Sequence, residues 1–192
     1  MNRLVSLHNA VFGALERLAP ILMPTLARVI FAGVLLIYFW NSAMTKLGDG
    51  ISGLWNLSFG AYAQIFPKQF EALGYDPSAL PAIYKLIALA GTWAEIVLPI
   101  LIVIGLFTRL AALGMIGFVL VQSYVDVTGH GLNEAGVGAW FDNNASALLL
   151  DQRAFWVFLL LFMVLRGAGP ISVDALLGRQ RSASLVAEPQ PR

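Results

Sequence analysis

Four long apolar stretches constrain the fold of this chain more than any other feature of its sequence. Three cover about residues 26–45, 82–106 and 110–128, and a fourth ends at residue 165. Crossing the roughly 30 Å hydrocarbon core of a bilayer takes about 20 mostly apolar residues in a helix. The sequence therefore predicts an all-α fold, a polytopic membrane four-helix bundle.

The fourth stretch is the least uniform of the four. Its uninterrupted apolar run, Ala154 to Leu165, holds 12 residues and is too short to cross a bilayer by itself. We therefore expect this helix to begin near Asn144 and to carry Asp151 and Arg153 within it. At about 1.5 Å per residue, Asp151 then lies roughly 10 Å inside the helix start. A local Asp151–Arg153 pair or a contact with lipid head groups is the simplest role for these charges.

Composition narrows the possible functions. The chain is 58% hydrophobic and 12% charged, whereas soluble domains have about 25% charged residues. The net charge of +1 gives no sign of the basic surface that nucleic acid requires, so no nucleic-acid partner is expected. There are no cysteines, and the two histidines belong to no motif with metal-ligand spacing. We therefore expect no metal site and no cofactor carried by this chain alone.

The two ends of the chain differ from its apolar middle. Residues 1–25 form an amphipathic N-terminal segment with apolar residues at helical spacing, namely Leu4, Leu7, Val11, Leu15 and Leu18. This pattern predicts a helix, either on the cytoplasmic membrane surface or packed against the bundle. Residues 26–177 form the four-helix transmembrane domain, and residues 178–192 form a polar tail that is expected to be disordered.

The connections between the apolar stretches are of two kinds. Residues 48–81 form a long loop, within which the segment 54–74 is predicted to be a helix at the membrane interface. Residues 129–144 form a second long loop. Phe107–Arg109, in contrast, is a tight turn, so the second and third helices are expected to be antiparallel neighbours.

The lysines and arginines predict the orientation of the bundle. One side of it holds eight of them, Arg3, Arg17, Arg28, Arg109, Arg166, Arg179, Arg181 and Arg192. The other side holds Lys46, Lys68, Lys85 and Arg153. Because cytoplasmic loops carry an excess of Lys and Arg, we expect the first side and both termini to be cytoplasmic.

Glu95 is the strongest candidate for a functional residue. It lies near the middle of the second helix, where a charge costs at least about 2.5–3.5 kcal/mol and needs a partner or a use. In a functional interpretation, Glu95 forms the floor of an outward pocket and exchanges a proton or binds a cationic ligand. In a structural interpretation, Glu95 pairs with Lys46 or Asn41 and fixes the packing of the helices.

Other polar residues on the four predicted helices lie at about the same depth in the membrane as Glu95 or closer to its outer side. The expected ligand-binding set is Glu95, Asn41, Lys46, Gln122, Thr92, Asp126 and Asp151. Asp126 and His130 also fit a solvated helix end, which is the simpler interpretation of that pair. Gly114 and Gly117 are expected to allow close helix packing. No residue can be assigned a catalytic role from the sequence.

Four sequence features resemble the DoxX family of bacterial membrane proteins, and one of them is the segment Ala111–Leu113, which continues the run from the second helix into the third. Arg28 opens the first helix, which closes with the segment Asn41–Lys46. Glu95 is followed by the leucine-rich run Leu98–Arg109, which is similar to the family's glutamate and its Gly-Leu-x-Thr-Arg turn. The segment Gly169–Leu177 resembles the family's closing segment.

The resemblance covers about residues 26–177 and implies a bacterial inner-membrane protein linked to redox systems. A similar member of the family is a subunit of a thiosulfate:quinone oxidoreductase. One hypothesis is therefore an integral membrane subunit of, or accessory to, a membrane redox system that interacts with quinone and with other membrane or redox proteins. The alternative is a non-enzymatic scaffold or assembly partner in a larger membrane complex. A transporter is disfavoured by the apolar inner half of the predicted bundle.

Overall fold

The computed structural model describes residues 2–179, which form helices and turns without any strand. The predicted disorder of the polar tail falls, from residue 180 onward, outside the described residues. Four helices are long and apolar enough to cross a membrane. We name them span 1 (Arg3–Met44), span 2 (Ala82–Ile104), span 3 (Thr108–Thr128) and span 4 (Leu148–Arg166). The predicted four-helix membrane bundle is confirmed.

The spans pack as a ring in which each contacts the next and span 4 contacts span 1. The buried core of this ring is apolar, and its large fully buried side chains are Phe31, Leu35, Phe39, Ile102, Met115, Val119, Leu160 and Met163. Spans 2 and 3 are antiparallel neighbours, as the short turn between them predicts.

Span 1 is much longer than a bilayer requires. It contains the α-helix Asn2–Phe31, a π-helical turn Ala32–Leu36 and the α-helix Ile37–Met44. Its 42 residues extend for about 63 Å, roughly twice the hydrocarbon thickness. The first buried residue is Pro24, so the preceding residues project beyond the bundle. The amphipathic N-terminal segment is thus helical and continuous with span 1.

Span 4 begins at Leu148, four residues later than the predicted start near Asn144. The Asn144 side chain accepts hydrogen bonds from the backbone N–H and the hydroxyl of Ser146, which holds this stretch in a turn. The first turn, Leu148–Arg153, is π-helical and includes Asp151 and Arg153, as predicted. The remainder is the α-helix Ala154–Arg166.

The long connection between spans 1 and 2 covers the part of span 2 near its start at Ala82. It holds a 3₁₀ turn Ile51–Leu54 and the short helices Phe59–Ile65 and Pro67–Ala72. The prediction of one helix over residues 54–74 is therefore wrong. Pro67 cannot donate a backbone hydrogen bond, and it opens a second helix instead of continuing the first. A second apolar cluster, Tyr62, Phe70, Leu80 and Ala88, joins this connection to span 2.

Arg28 fixes one end of the bundle, which we call the Arg28 end. Its guanidinium donates to the carbonyl oxygens of Ile102 at 3.1 Å and Val103 at 2.6 Å in span 2. It also donates to the carbonyls of Ala168 and Ile171, which follow span 4. One side chain thereby joins span 1 to the end of span 2 and to the closing segment.

Asp174 completes the Arg28 end by capping span 3. Its carboxylate accepts from the backbone N–H groups of Phe107 at 2.8 Å and Thr108 at 3.0 Å. Its own backbone N–H donates to the Gly105 carbonyl at 2.8 Å. Gly105 and Phe107 both have positive φ, 72° and 49°, which produces the tight turn between spans 2 and 3.

Candidate functional site

A cavity of about 550 Å³ lies between spans 2 and 3, and the end of span 1 and the helix Phe59–Ile65 form part of its wall. Its polar lining consists of Ser42, Lys46, Gln64, Glu95, Gln122, Asp126 and His130. Its apolar lining includes Ile87, Ala90, Gly91, Ala94, Gly117, Phe118 and Val121. The cavity therefore has a polar part and an apolar part within one continuous space.

An ion pair between span 2 and the turn that follows span 1 forms the buried polar part of the cavity. Lys46 Nζ lies 2.9 Å from Glu95 Oε2 and 3.1 Å from Oε1. The Ser42 hydroxyl donates to Glu95 Oε1 at 3.2 Å and accepts from Lys46 Nζ at 2.7 Å. The two charged side chains are only 5% and 3% exposed. Glu95 thus has Lys46 as its charge partner, which is one of the two partners that the structural interpretation predicts.

A second ion pair joins spans 3 and 4 beside the same cavity. The Arg153 guanidinium donates to Asp126 Oδ2 at 2.5 Å and to the Ser123 hydroxyl at 2.9 Å. The predicted local pair of Asp151 with Arg153 is wrong, because residues two apart on a helix do not face each other. Asp126 is also not merely a solvated helix end, since it is partly buried and neutralises a buried arginine.

Four of the seven predicted ligand-binding residues line the cavity, namely Lys46, Glu95, Gln122 and Asp126. The other three do not. Asn41 is exposed. Thr92 is buried, and its hydroxyl donates to the Ala88 carbonyl one turn earlier. Asp151 accepts from the backbone N–H of Ala147 at 2.8 Å and so caps span 4.

Gln122 is held at the cavity by a contact from span 1. Its side-chain Nε2 donates to the Tyr38 hydroxyl at 3.1 Å. Its Oε1 is buried and has no hydrogen-bond partner among residues 2–179. One N–H of the amide is used by Tyr38, which leaves Gln122 a second donor beside the unpaired Oε1 acceptor at the cavity wall.

Two lining residues outside the predicted set come from the segments that connect the spans. His130 follows span 3, and its Nε2 lies 2.9 Å from the carbonyl oxygen of Gln64. Gln64 also donates through its side chain to the Thr45 hydroxyl at 3.0 Å. Gln64 lies in the predicted interfacial segment, but no charge or spacing in that segment marks it. The contact with His130 depends on tertiary folding.

The glycines of span 3 differ from each other in what they contact. A Cβ added at Gly114 would lie 3.3 Å from Leu98 of span 2, which fits the predicted close packing. A Cβ added at Gly117 would have nothing within 4 Å. The packing role predicted for Gly117 is therefore wrong, and this glycine leaves the cavity open.

The cavity opens sideways from the bundle. On its apolar rim, Ile87 of span 2 is 47% exposed and Val121 of span 3 is 61% exposed. Both residues belong to membrane-spanning helices, so their exposed surface faces lipid. The geometry suits a molecule that has a polar head near Gln122 and Glu95 and an apolar body at the bilayer side.

Comparison with known proteins supports a family assignment. The DoxX family model matches residues 23–130, which is 108 of the 192 residues. The match begins one residue before Pro24, where span 1 joins the bundle, and it includes Lys46 and Glu95. The comparisons with curated proteins and with solved structures find no match. Because the family model covers more than half of the sequence, the chain belongs to the DoxX family.

Proposed function

We propose that this protein is an integral membrane subunit of, or accessory to, a bacterial membrane redox system, and that it binds a lipid-soluble quinone between spans 2 and 3. The observation that carries the proposal is the cavity beside the Lys46–Glu95 pair, which is polar inside and open to lipid at its rim. Its volume of about 550 Å³ falls within the usual range for small-molecule sites, about 300–1,000 Å³.

Each polar group at the cavity has a distinct part in this proposal. A quinone offers two carbonyl oxygens as acceptors, and its reduction consumes two electrons and two protons. The second amide N–H of Gln122 donates to one carbonyl, and Glu95 relays the two protons in turn from water to the ring oxygens. Lys46 positions Glu95, because its own donors are taken by Glu95 and Ser42. The electrons come from a partner redox protein.

The proposal also specifies the membrane in which the protein lies and its orientation there. The protein lies in the bacterial inner membrane with both termini in the cytoplasm, so the Arg28 end faces the cytoplasm. The Lys46–Glu95 pair and the long connection between spans 1 and 2 lie toward the opposite side. The support for this orientation is the excess of arginine at the Arg28 end.

Quinone binding by the purified full chain in lipid nanodiscs tests the proposal, with a short-chain ubiquinone as the probe. Glu95→Gln is expected to weaken binding about tenfold or more, because it removes a charged partner of the ligand. Gly117→Leu is expected to block binding by filling open space. Gly33→Leu is the matched control, because Gly33 is exposed in span 1 and also has nothing near its Cβ position.

The possible results distinguish the location of the quinone site from the proposed redox role. If Gly117→Leu binds quinone as well as the unmodified protein, the ligand does not occupy this cavity. If Glu95→Gln leaves the affinity unchanged, Glu95 has no part in binding. If the unmodified protein binds no quinone at all, the redox role is overturned.

A scaffold or assembly partner is the second candidate function. It is favoured by the projecting part of span 1, where Leu4, Leu7 and Leu15 are exposed and none of residues 3–23 is buried. Deleting residues 2–19 is expected to abolish co-purification of a partner in mild detergent and to leave quinone binding intact. Retention of every partner after the deletion would contradict this role for the segment.

A further inference from the structure

We propose that the Arg28 end carries a second site, which binds the phosphate head group of an anionic phospholipid. The site is a cleft of about 490 Å³ between the start of span 3 and the chain that follows span 4. Its lining includes Phe107, Arg109, Leu110, Arg166, Gly167 and Asp174. It is separate from the quinone cavity and shares no lining residue with it.

Arg109 and Arg166 supply the positive charge of this cleft. Both side chains are exposed, and neither has a hydrogen-bond or ion-pair partner within residues 2–179. They differ in this from Arg28, whose guanidinium is occupied by four backbone carbonyls. Two free guanidinium groups at one cleft can form paired hydrogen bonds with the oxygens of a phosphate.

The backbone of span 4 holds Arg109 at the cleft. Gly167 ends that helix with a φ of 76°, and a Cβ built on it would lie 3.3 Å from Arg109 Nε. The guanidinium therefore lies across the glycine, close to the last turn that carries Arg166. The two arginines come from different spans, so the cleft forms only in the folded bundle.

The acidic residue of the cleft does not neutralise these arginines. The Asp174 carboxylate is engaged by the backbone N–H groups of Phe107 and Thr108 at the start of span 3. Those amides are therefore unavailable to a ligand, and the arginines are the remaining anion-binding groups. The charge balance of the lining favours a ligand with negative charge.

The rim of the cleft explains why the ligand is a lipid instead of free phosphate. Its lining residues Phe107 and Leu110 are exposed at the end of the membrane spans. At that depth the phosphate of a phospholipid lies next to the arginines while its acyl chains cover these apolar side chains.

Native mass spectrometry and thermal unfolding of the full chain test the proposal. Delipidated protein is supplied with phosphatidylglycerol, phosphatidylcholine or inorganic phosphate. We expect phosphatidylglycerol alone to be retained and to raise Tm. Arg109→Gln/Arg166→Gln is expected to lower the retained phosphatidylglycerol about tenfold relative to the unmodified protein. Lys68→Gln/Lys85→Gln is the control, because it removes the same charge from exposed positions at the opposite end.

A purely structural role gives a different result. Arg166, in the last turn of span 4, also interacts favourably with the helix dipole, and lysine preserves that charge without paired hydrogen bonds. Arg109→Lys/Arg166→Lys is therefore expected to keep its Tm without lipid and to lose much of its phosphatidylglycerol preference. An unchanged preference in both arginine variants overturns the site. A Tm increase with inorganic phosphate alone overturns the assignment to a lipid.

Discussion

At the scale of single residues, the two ion pairs determine the chemistry of the bundle. The pairs Lys46–Glu95 and Arg153–Asp126 each link neighbouring parts of the bundle. The carboxylates of both pairs, on Glu95 and Asp126, line the cavity. Removing charges from water is expensive, and mutual pairing offsets much of that cost. The pairs are therefore sensitive to the loss of one partner but tolerate replacement of both.

The Lys46–Glu95 pair gives a direct test of structural and functional roles. Lys46→Met leaves a buried carboxylate alone and is expected to lower the free energy of unfolding by about 3–5 kcal/mol. Lys46→Met/Glu95→Leu is expected to recover most of this loss while quinone binding stays weak. Denaturant unfolding in detergent measures the free energy of unfolding of the single and the double variant. A single variant as stable as the unmodified protein would show that the pair does not stabilise the bundle.

The sequence indicates Lys46 and Asn41 as alternative partners for Glu95, and it does not predict the pair of Asp126 with Arg153. Glu95 is evident because a lone carboxylate in an apolar helix requires a partner, and Lys46 closes the neighbouring helix. Asp126 and Arg153 are 27 residues apart and meet only when spans 3 and 4 pack. Local spacing instead suggests Asp151 as the partner, which is the wrong residue for the geometry of a helix.

At the scale of elements, apolar length predicts the four spans well and their ends less well. The observed span 3 begins at Thr108, two residues before the predicted Leu110, and its end at Thr128 agrees. Span 1 is harder to predict, because Pro20 and Pro24 suggest a break between the N-terminal segment and the bundle. The helix continues through both prolines, and periodicity alone does not reveal that continuity.

The cap on span 3 gives a prediction for an element. Asp174→Ala removes the acceptor for the first N–H groups of the helix and is expected to cost about 0.5–2 kcal/mol of stability. Faster hydrogen exchange is expected at Phe107 and Thr108. Asp49→Ala is the control, because the Asp49 side chain is exposed and caps no membrane span. Equal losses of stability in Asp174→Ala and Asp49→Ala would show that the Asp174 side chain does not stabilise span 3 as a cap.

At the scale of the whole molecule, charge is distributed unevenly between the two ends of the bundle. Arg28, Arg109 and Arg166 gather at one end, whereas Lys46 and Arg153 lie toward the other and are paired. The positive-inside rule then predicts which end faces the cytoplasm.

The absence of cysteine from the sequence makes this orientation easy to test. Ser6→Cys and Asn133→Cys each introduce a single exposed thiol on the projecting helix and on the loop after span 3. A membrane-impermeant maleimide is expected to label Asn133→Cys in intact cells and Ser6→Cys only after lysis. The reverse pattern would invert the orientation, and labelling of both in intact cells would contradict the predicted arrangement.

The sideways opening of the cavity past Ile87 and Val121 affects how binding should be quantified. A ligand that enters from the bilayer equilibrates first with the lipid phase, where a hydrophobic molecule is strongly concentrated. Its occupancy then follows its mole fraction in lipid and not its concentration in the buffer. An apparent Kd expressed per litre of buffer would therefore change with the lipid-to-protein ratio, while the affinity expressed per lipid molecule would stay constant.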